Sequence, residues 1–467
     1  MLKQFPDKGR NLNEISSELE KYSKNDIKNS RGRLFTYFYD PGLPELEDLD
    51  SLFLTFSKRN GMDYHAFPST IKIENDVIAM MLSLLHGSEE AAGTFTTGGT
   101  ESIILAMKSA RDAFLEKHSG IPEVILPVTG HPSFGKAAEY LGLKIRTVGV
   151  DSSFKADTES IEKAINSRTA MIVASSPAFP YGIMDPISEI SEIAESHKIW
   201  FHVDACVGGM ILPFLSRLGK SIPDYDFKLS GVSSISVDLH KYGFTPKGSS
   251  VILYKNAELR RHQIYVDANW PGYPMSNAGI QATKSAGPLA GSWALMNYLG
   301  IAGYTELAGK TLKAFNTISH GIEKIGYKIT GKPDATILAF QDGNNDIFET
   351  GIELIERGWY PQVQPSNVAL GLPSTVHLNV SPVHLDVADE FLAVLSEVYD
   401  KVQKIKNSED NKNIFKNSKN AAELLELIDK HPENKTLFFH ILYSMDPKTG
   451  AELFQKMTEK DFTAAKN

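Results

Sequence analysis

Residues 234–254 read Ser-Ile-Ser-Val-Asp-Leu-His-Lys-Tyr-Gly-Phe-Thr-Pro-Lys-Gly-Ser-Ser-Val-Ile-Leu-Tyr. One short apolar run ends at His240-Lys241 and a second follows a loop containing Pro246-Lys247-Gly248. The pattern predicts strand, loop, strand, with Lys241 delivered at the carboxyl end of the first strand, where α/β sheets place their sites. A lysine amine ordinarily keeps its proton to about pH 10.4, so one that attacks a carbonyl must be partly desolvated or set beside other cations. Such a lysine points into a cleft and is costly to bury. For an isolated His-Lys pair a surface lysine after a strand is the plainer reading, and the neighbouring motifs decide between the two.

Composition bounds the class. A chain of 467 residues with 42% apolar and 22% charged content can bury a large core, as one main domain plus a smaller one. A formal charge of −9 argues against a nucleic-acid footprint or a polybasic membrane anchor, and the Lys/Asn-rich stretch 401–420 mixes its cations with acids and amides. The single cysteine, Cys206, excludes an intramolecular disulfide framework and a multi-cysteine metal site, so no metal is expected. The longest apolar stretch near the amino terminus, Val77 to Leu85, is far shorter than the roughly 20 residues that cross a bilayer, and nothing in the first thirty residues resembles a secretory h-region. A soluble, cytoplasmic protein is the expectation, with secretion into a host cell left open.

The chain divides by pattern. Residues 1–60 form an amino-terminal arm, with a charged helical stretch from Leu12 to Tyr22 and an aromatic segment, Leu34 to Gly42, suited to lying across a partner subunit. Residues 61–320 alternate apolar runs with helical spacing, as in a mostly parallel sheet covered by helices. The expected strands are Glu123–Pro127, Ile145–Val148, Met171–Ala174, Ile199–Val203, Ser234–Val237 and Ser250–Leu253. Residues 321–405 read as a smaller α+β domain with strands at 337–340 and 376–380 and a helix from Val387 to Val402. Residues 406–467 read as a helical extension containing Ala421–Ile428 and Leu437–Tyr443.

Four features carry chemistry. Thr97-Gly98-Gly99-Thr100-Glu101-Ser102 opens a helical stripe, and glycines with hydroxyls at a helix start make an anion cradle of free N–H groups. His131, after the strand Glu123–Pro127, can stack on a flat heteroaromatic ring, although a lone loop histidine is more often solvated. Asp204 ends an alternating strand, where an unpaired carboxylate is costly unless it caps a helix or meets a cation such as a protonated ring nitrogen. Lys241, preceded by His240, completes the set as the residue that forms an imine with an aldehyde. Together they suit pyridoxal 5′-phosphate (PLP).

This order and spacing resemble the fold type I PLP-dependent enzymes, in the group II decarboxylase-like branch, and within it most closely the sphingosine-1-phosphate lyase family. The resemblance rests on the Gly-rich motif, on Ser176-Pro177-Ala178-Phe179-Pro180-Tyr181-Gly182, on His202-Val203-Asp204-Ala205-Cys206-Val207-Gly208-Gly209, on Asp238 to Ser250, on Gly291-Ser292-Trp293-Ala294 and on His377-Leu378-Asn379-Val380-Ser381. It covers roughly residues 30–400. It implies a catalytic set of Lys241, Asp204, His131 and His240, with Gly98, Gly99, Thr100, Ser176 and Gly287 also at the cofactor. It further implies that Lys247 and Tyr39 bind a substrate phosphate, Tyr39 from the partner subunit of a homodimer, with Tyr37 as the other candidate. The implied reaction is retro-aldol cleavage of a phosphorylated long-chain base at C2–C3, giving a fatty aldehyde and phosphoethanolamine.

The chain departs from the family pattern twice. Thr283-Lys284-Ser285-Ala286-Gly287 stands where relatives commonly carry Ser-Arg, and lysine lacks arginine's fork. Asp63 stands where relatives often place His or Asn. Two competing readings remain at this stage. An amino-acid decarboxylase would use the same cofactor residues but needs no phosphate-binding Lys247. A catalytically silent scaffold docking through 406–467 is disfavoured by the intact Lys241, Asp204 and His131.

Overall fold

The structure is a computed structural model, describing residues 5–27, 32–61, 65–343, 347–367, 370–405 and 447–461. Its main sheet has seven strands: β1 (Ala92–Thr96), β2 (Glu123–Pro127), β3 (Lys144–Val148), β4 (Thr169–Ser175), β5 (Trp200–Asp204), β6 (Val232–Asp238) and β7 (Ser250–Tyr254). Their order is β1-β7-β6-β5-β4-β2-β3, and β7 alone runs antiparallel to its neighbours. Every residue of β2, β4, β5 and β7 is buried, which is why those segments read as near-continuous apolar runs. Helices Gly99–Leu115, Ser133–Leu141, Thr158–Ala164 and Ile187–His197 supply the crossovers.

The expected strands all form, and two extend by the residue that matters. β5 runs on to Asp204 and β6 to Asp238, so two carboxylates finish neighbouring strands. β1 was not expected, because Ala-Gly-Thr-Phe-Thr carries little apolar pattern. It forms by pairing with β7, and Gly93 permits the approach, since a Cβ there would lie 2.7 Å from the Leu253 side chain and 3.0 Å from the Ile252 carbonyl.

A second, antiparallel sheet orders β10 (Lys328–Ile329), β11 (Ile337–Gln341), β13 (Thr375–Asn379) and β12 (Gln362–Gln364) as β10-β11-β13-β12, after a small hairpin of β8 (Tyr265–Asp267) and β9 (Met275–Asn277). β10 and β12 are too short to show a period of two. Helix Gly287–Ile325 links the sheets: Leu289, Leu295 and Met296 join the core of the first, and Phe315, Ile318 and Ile322 that of the second. The two halves meet at a kink at Gly300, whose φ of 53° and ψ of −170° are open to glycine. Helix Ala388–Ile405 covers the smaller sheet through Phe391, Leu395 and Val398.

The amino-terminal helix spans Leu12–Tyr22 as expected, but the aromatic arm after it docks on its own chain. The Phe35 N–H donates to the Tyr360 carbonyl (3.0 Å), the Asn379 N–H donates to the Phe35 carbonyl (2.8 Å), and the Phe35 ring is buried against Trp359 and Phe391. In the carboxyl-terminal extension helix Pro447–Asp461 is described, while Ala421–Ile428 and Leu437–Tyr443 lie outside the described residues, as does Asp63. No helix among the described residues is long and apolar enough to cross a membrane.

Candidate active site

Alternate residues of a strand share a face, so Trp200, His202 and Asp204 line up on β5. Parallel pairing sets His202 opposite Ser234 and Asp204 opposite Ser236 on β6, and Asp238 continues that row. The result is a polar ladder on a buried sheet face. Helix Gly99–Leu115 starts directly over it: a Cβ on Gly99 would lie 2.8 Å from Asp238 Oδ1 and 2.9 Å from Cys206 Sγ, so only glycine fits. A cavity of about 370 Å³ opens there, lined by Thr97 to Glu101, His131, Phe179, Asp204, Asp238, His240 and Lys241 among others.

Lys241 reaches the cavity from the loop after β6, its Nζ 2.9 Å from Asp238 Oδ2. Burial works against the ammonium, but the Asp238 carboxylate outweighs it, and Lys241 is held above its ordinary range. Asp238 is likewise lowered: burial opposes its charge, and Lys241 and His240 override that. The lysine is therefore desolvated as anticipated but gripped by a carboxylate, which keeps the proton on the amine. Asp238 stood in the quoted motif and was not singled out; its signal was a carboxylate three residues before the lysine.

His240 is pushed down by burial, with Asp238 at 3.8 Å opposing and Lys247 and Lys241 adding to the fall, and its Nδ1 is buried without a partner. His131 is lowered by burial too. The Ser133 N–H donates to His131 Nδ1 (3.2 Å), so the neutral ring carries its proton on Nε2. The Thr100 and Ser133 hydroxyls meet at 2.9 Å, tying the Gly-rich helix start to the histidine loop. At that helix start the Thr97 N–H and hydroxyl both donate to Glu101 Oε2 (2.6 Å each), while the first-turn N–H groups that follow have no intrahelical acceptor. Asp204 Oδ1 accepts from the Cys206 N–H (3.0 Å) and the Ser236 hydroxyl (3.3 Å); Oδ2 carries no hydrogen bond among the described residues.

The remaining expected residues fall in two groups. Lys247 and Tyr39 come together beside Lys241: Lys247 Nζ donates to the Tyr37 carbonyl (3.0 Å) and lies 5.9 Å from the centre of the Tyr39 ring. Burial and then repulsion from Lys241 lower Lys247, and it has no carboxylate partner among the described residues. Tyr39 is buried edge-on to Tyr242, its hydroxyl unpartnered and pushed up to about 12 by burial. Within its own chain it packs beside Tyr242 and Lys247. Tyr37 is exposed, with its hydroxyl on Gln362.

Ser176 and Gly287 do not line the cavity. Ser176 stands behind Asp204, donating its N–H to the Asp204 carbonyl (2.9 Å) with its hydroxyl buried and unpartnered. Gly287 opens its helix against Phe53, where a Cβ would lie 3.1 Å from that ring. Lys284 bonds the Phe95 carbonyl and lies 5.7 Å from the centre of the Phe95 ring.

The residues fit PLP. An unpartnered carboxylate oxygen, a glycine-floored helix start, a flat neutral imidazole and a partly buried lysine surround one cavity, each matching a part of the cofactor: ring nitrogen, phosphate, ring face and aldehyde. Fold and site thus define a fold type I PLP-dependent enzyme. The model of the pyridoxal-dependent decarboxylase conserved domain matches residues 2–341. The chain is 40% identical to sphingosine-1-phosphate lyase of Arabidopsis thaliana over 74% of its own length and 64% of that protein's. It is 38% identical to sphingosine-1-phosphate lyase of Oryza sativa subsp. japonica, over 84% of this chain and 73% of that one. Among solved structures, sphingosine-1-phosphate lyase of Burkholderia pseudomallei superposes with a TM-score of 0.82 at 29% identity, covering 92% of this chain and 97% of the other. The chain belongs to the pyridoxal-dependent decarboxylase family and, within it, to the sphingosine-1-phosphate lyase branch.

Proposed function

We propose that this protein cleaves the C2–C3 bond of a phosphorylated long-chain base such as sphingosine 1-phosphate, releasing a fatty aldehyde and phosphoethanolamine. The observation that carries the choice over amino-acid decarboxylation is Lys247. An exposed ammonium facing a second ammonium, bonded to a carbonyl and close to aromatic faces, with no ion pair among the described residues and only the Asp238 charge partly offsetting that of Lys241, is a binding element for an added anion. Tyr39, with a buried hydroxyl awaiting an acceptor, supports the same reading.

PLP, when bound, supplies the electron sink that takes up the pair released as C2–C3 breaks. The residues divide the remaining work. Lys241 would anchor the aldehyde carbon, with the Asp238 carboxylate 2.9 Å from its amine setting how tightly that amine keeps its proton. Asp204 Oδ2 would hold the ring nitrogen's proton, His131 would offer its flat face, and the Gly98-Gly99-Thr100 helix start would take the cofactor phosphate. His240 shields the cavity beside Lys241.

A homodimer is the proposed assembly. Leu54, Trp293 and Tyr298 are exposed large apolar side chains, and two-fold pairing is the commonest way to cover such surface. Full activity in a dilute monomer would overturn it.

The deciding experiment incubates the purified protein with sphingosine 1-phosphate and, separately, with aromatic and acidic amino acids, following aldehyde and carbon dioxide. Aldehyde from the phosphorylated base alone supports the lyase; carbon dioxide from an amino acid alone replaces it with a decarboxylase.

A further inference from the structure

The ladder beneath Asp204 holds more than the carboxylate needs. Trp200 Nε1 lies 2.9 Å from Ser234 Oγ, Ser234 Oγ 2.8 Å from His202 Nδ1, His202 Nε2 3.2 Å from Ser236 Oγ, and Ser236 Oγ 3.3 Å from Asp204 Oδ1. All five side chains are buried, His202 and both serines completely. Each is a strand residue held by β5–β6 register, so the chain of contacts is not a loop accident.

Its direction follows from the two ends. An indole nitrogen only donates and an ionised carboxylate only accepts. Trp200 therefore donates to Ser234, which leaves the single Ser234 proton for His202 Nδ1. That makes Nδ1 an acceptor and puts the imidazole proton on Nε2, from which it donates to Ser236. Ser236 then gives its one proton to Asp204 Oδ1 and can take the Cys206 thiol, 3.4 Å away, on its remaining lone pair. A protonated His202 would break the sequence, since Ser234 would face two donors with no acceptor for its own proton. Burial pushes His202 down to about 4 and the Cys206 thiol well up, so both stay neutral as the wiring requires.

We propose that Trp200, Ser234, His202 and Ser236 are positioning residues forming a one-way hydrogen-bond relay. The relay occupies Asp204 Oδ1 and so presents Oδ2 alone to the cofactor's ring nitrogen. A carboxylate held by the Cys206 N–H alone can rotate about χ2 and exchange its oxygens, whereas the second donor removes that freedom. The inference rests on the PLP assignment and not on the choice of substrate.

Two measurements test it. Labelling histidine with ¹⁵N and identifying the His202 signal by its loss in His202→Asn, the spectrum should report a neutral Nε2–H ring throughout pH 5–8. An Nδ1–H tautomer, or protonation in that range, overturns the relay. For the second, PLP affinity is titrated into cofactor-stripped protein by absorbance. Ser236→Ala should weaken it about tenfold, the scale of one hydrogen bond to a charged group, and Ser236→Thr, which keeps a hydroxyl, should recover most of the loss. Equal affinity in Ser236→Ala, or no recovery with threonine, assigns the ladder to packing. If Ser236→Ala does not fold, the tautomer still decides. Neither readout involves substrate, so failure here leaves the lyase reading intact, and failure of the lyase assay leaves the relay intact.

Discussion

Asp204 and Lys247, proposed for the cofactor and for the substrate phosphate, are held by the chain in different ways. Asp204 ends a fully buried strand, and its neighbours are set by pairing with β6, about thirty residues later in sequence. Lys247 sits in a loop and leans on the carbonyl of Tyr37, 210 residues earlier, in an arm held by the smaller sheet. The proposed cofactor end is built into the sheet; the proposed substrate end is assembled from a loop and a docked segment. Strand register leaves little room for variation, whereas a loop and an arm can be altered without disturbing the core. The arrangement suits a family whose members share a cofactor and differ in what they act on.

The comparison breaks most decisively at Lys241. Lys241→Ala should abolish turnover and leave no cofactor fixed to protein by borohydride, whereas the wild type should be yellow and should fix it. Cofactor still captured covalently would mean that another lysine is the anchor.

At Asp238 the effect is on proton affinity. Its carboxylate holds the Lys241 ammonium above the ordinary range against a burial effect that lowers it. With Asp238→Asn the largest raising cause is gone and the lowering by burial is opposed only by Cys206 and Tyr39, so the uncharged amine becomes available at lower pH. The pH midpoint for PLP capture by stripped protein should fall, and an unmoved or raised midpoint would show that Asp238 does not control the lysine.

The two ends separate most cleanly at Lys247. Lys247→Ala should cost about ten- to a hundredfold in kcat/KM for the phosphorylated substrate, the range of a charged hydrogen bond, with the visible absorbance of bound PLP unchanged. Joint loss of absorbance and rate would place Lys247 in the cofactor end and erase the contrast.

The smallest effect is expected at Tyr39. Tyr39→Phe keeps the ring against Tyr242 and removes only a neutral hydroxyl, so the same rate ratio should drop about two- to tenfold at unchanged thermal stability. A stability loss with no kinetic effect would make Tyr39 a packing residue of the arm.

The sequence by itself determined the chemistry on offer. Gly98-Gly99 before a helical stripe, His131 after a strand, Asp204 and Lys241 at strand ends are local patterns, and each forms where the pattern placed it. Six strands of the main sheet were legible, four of them (β2, β4, β5 and β7) because burial along their whole length forces continuous apolar runs. β1 was not legible, since its stability comes from pairing with β7 and not from its own residues. Only the tertiary structure decided that Asp238 grips Lys241, that His202 meets Ser234 and Asp204 meets Ser236, and that the Tyr39 arm folds onto its own chain. Registers between strands and the docking of an arm are chosen by burial and hydrogen bonding summed over residues far apart in sequence. No window of neighbouring residues contains that sum.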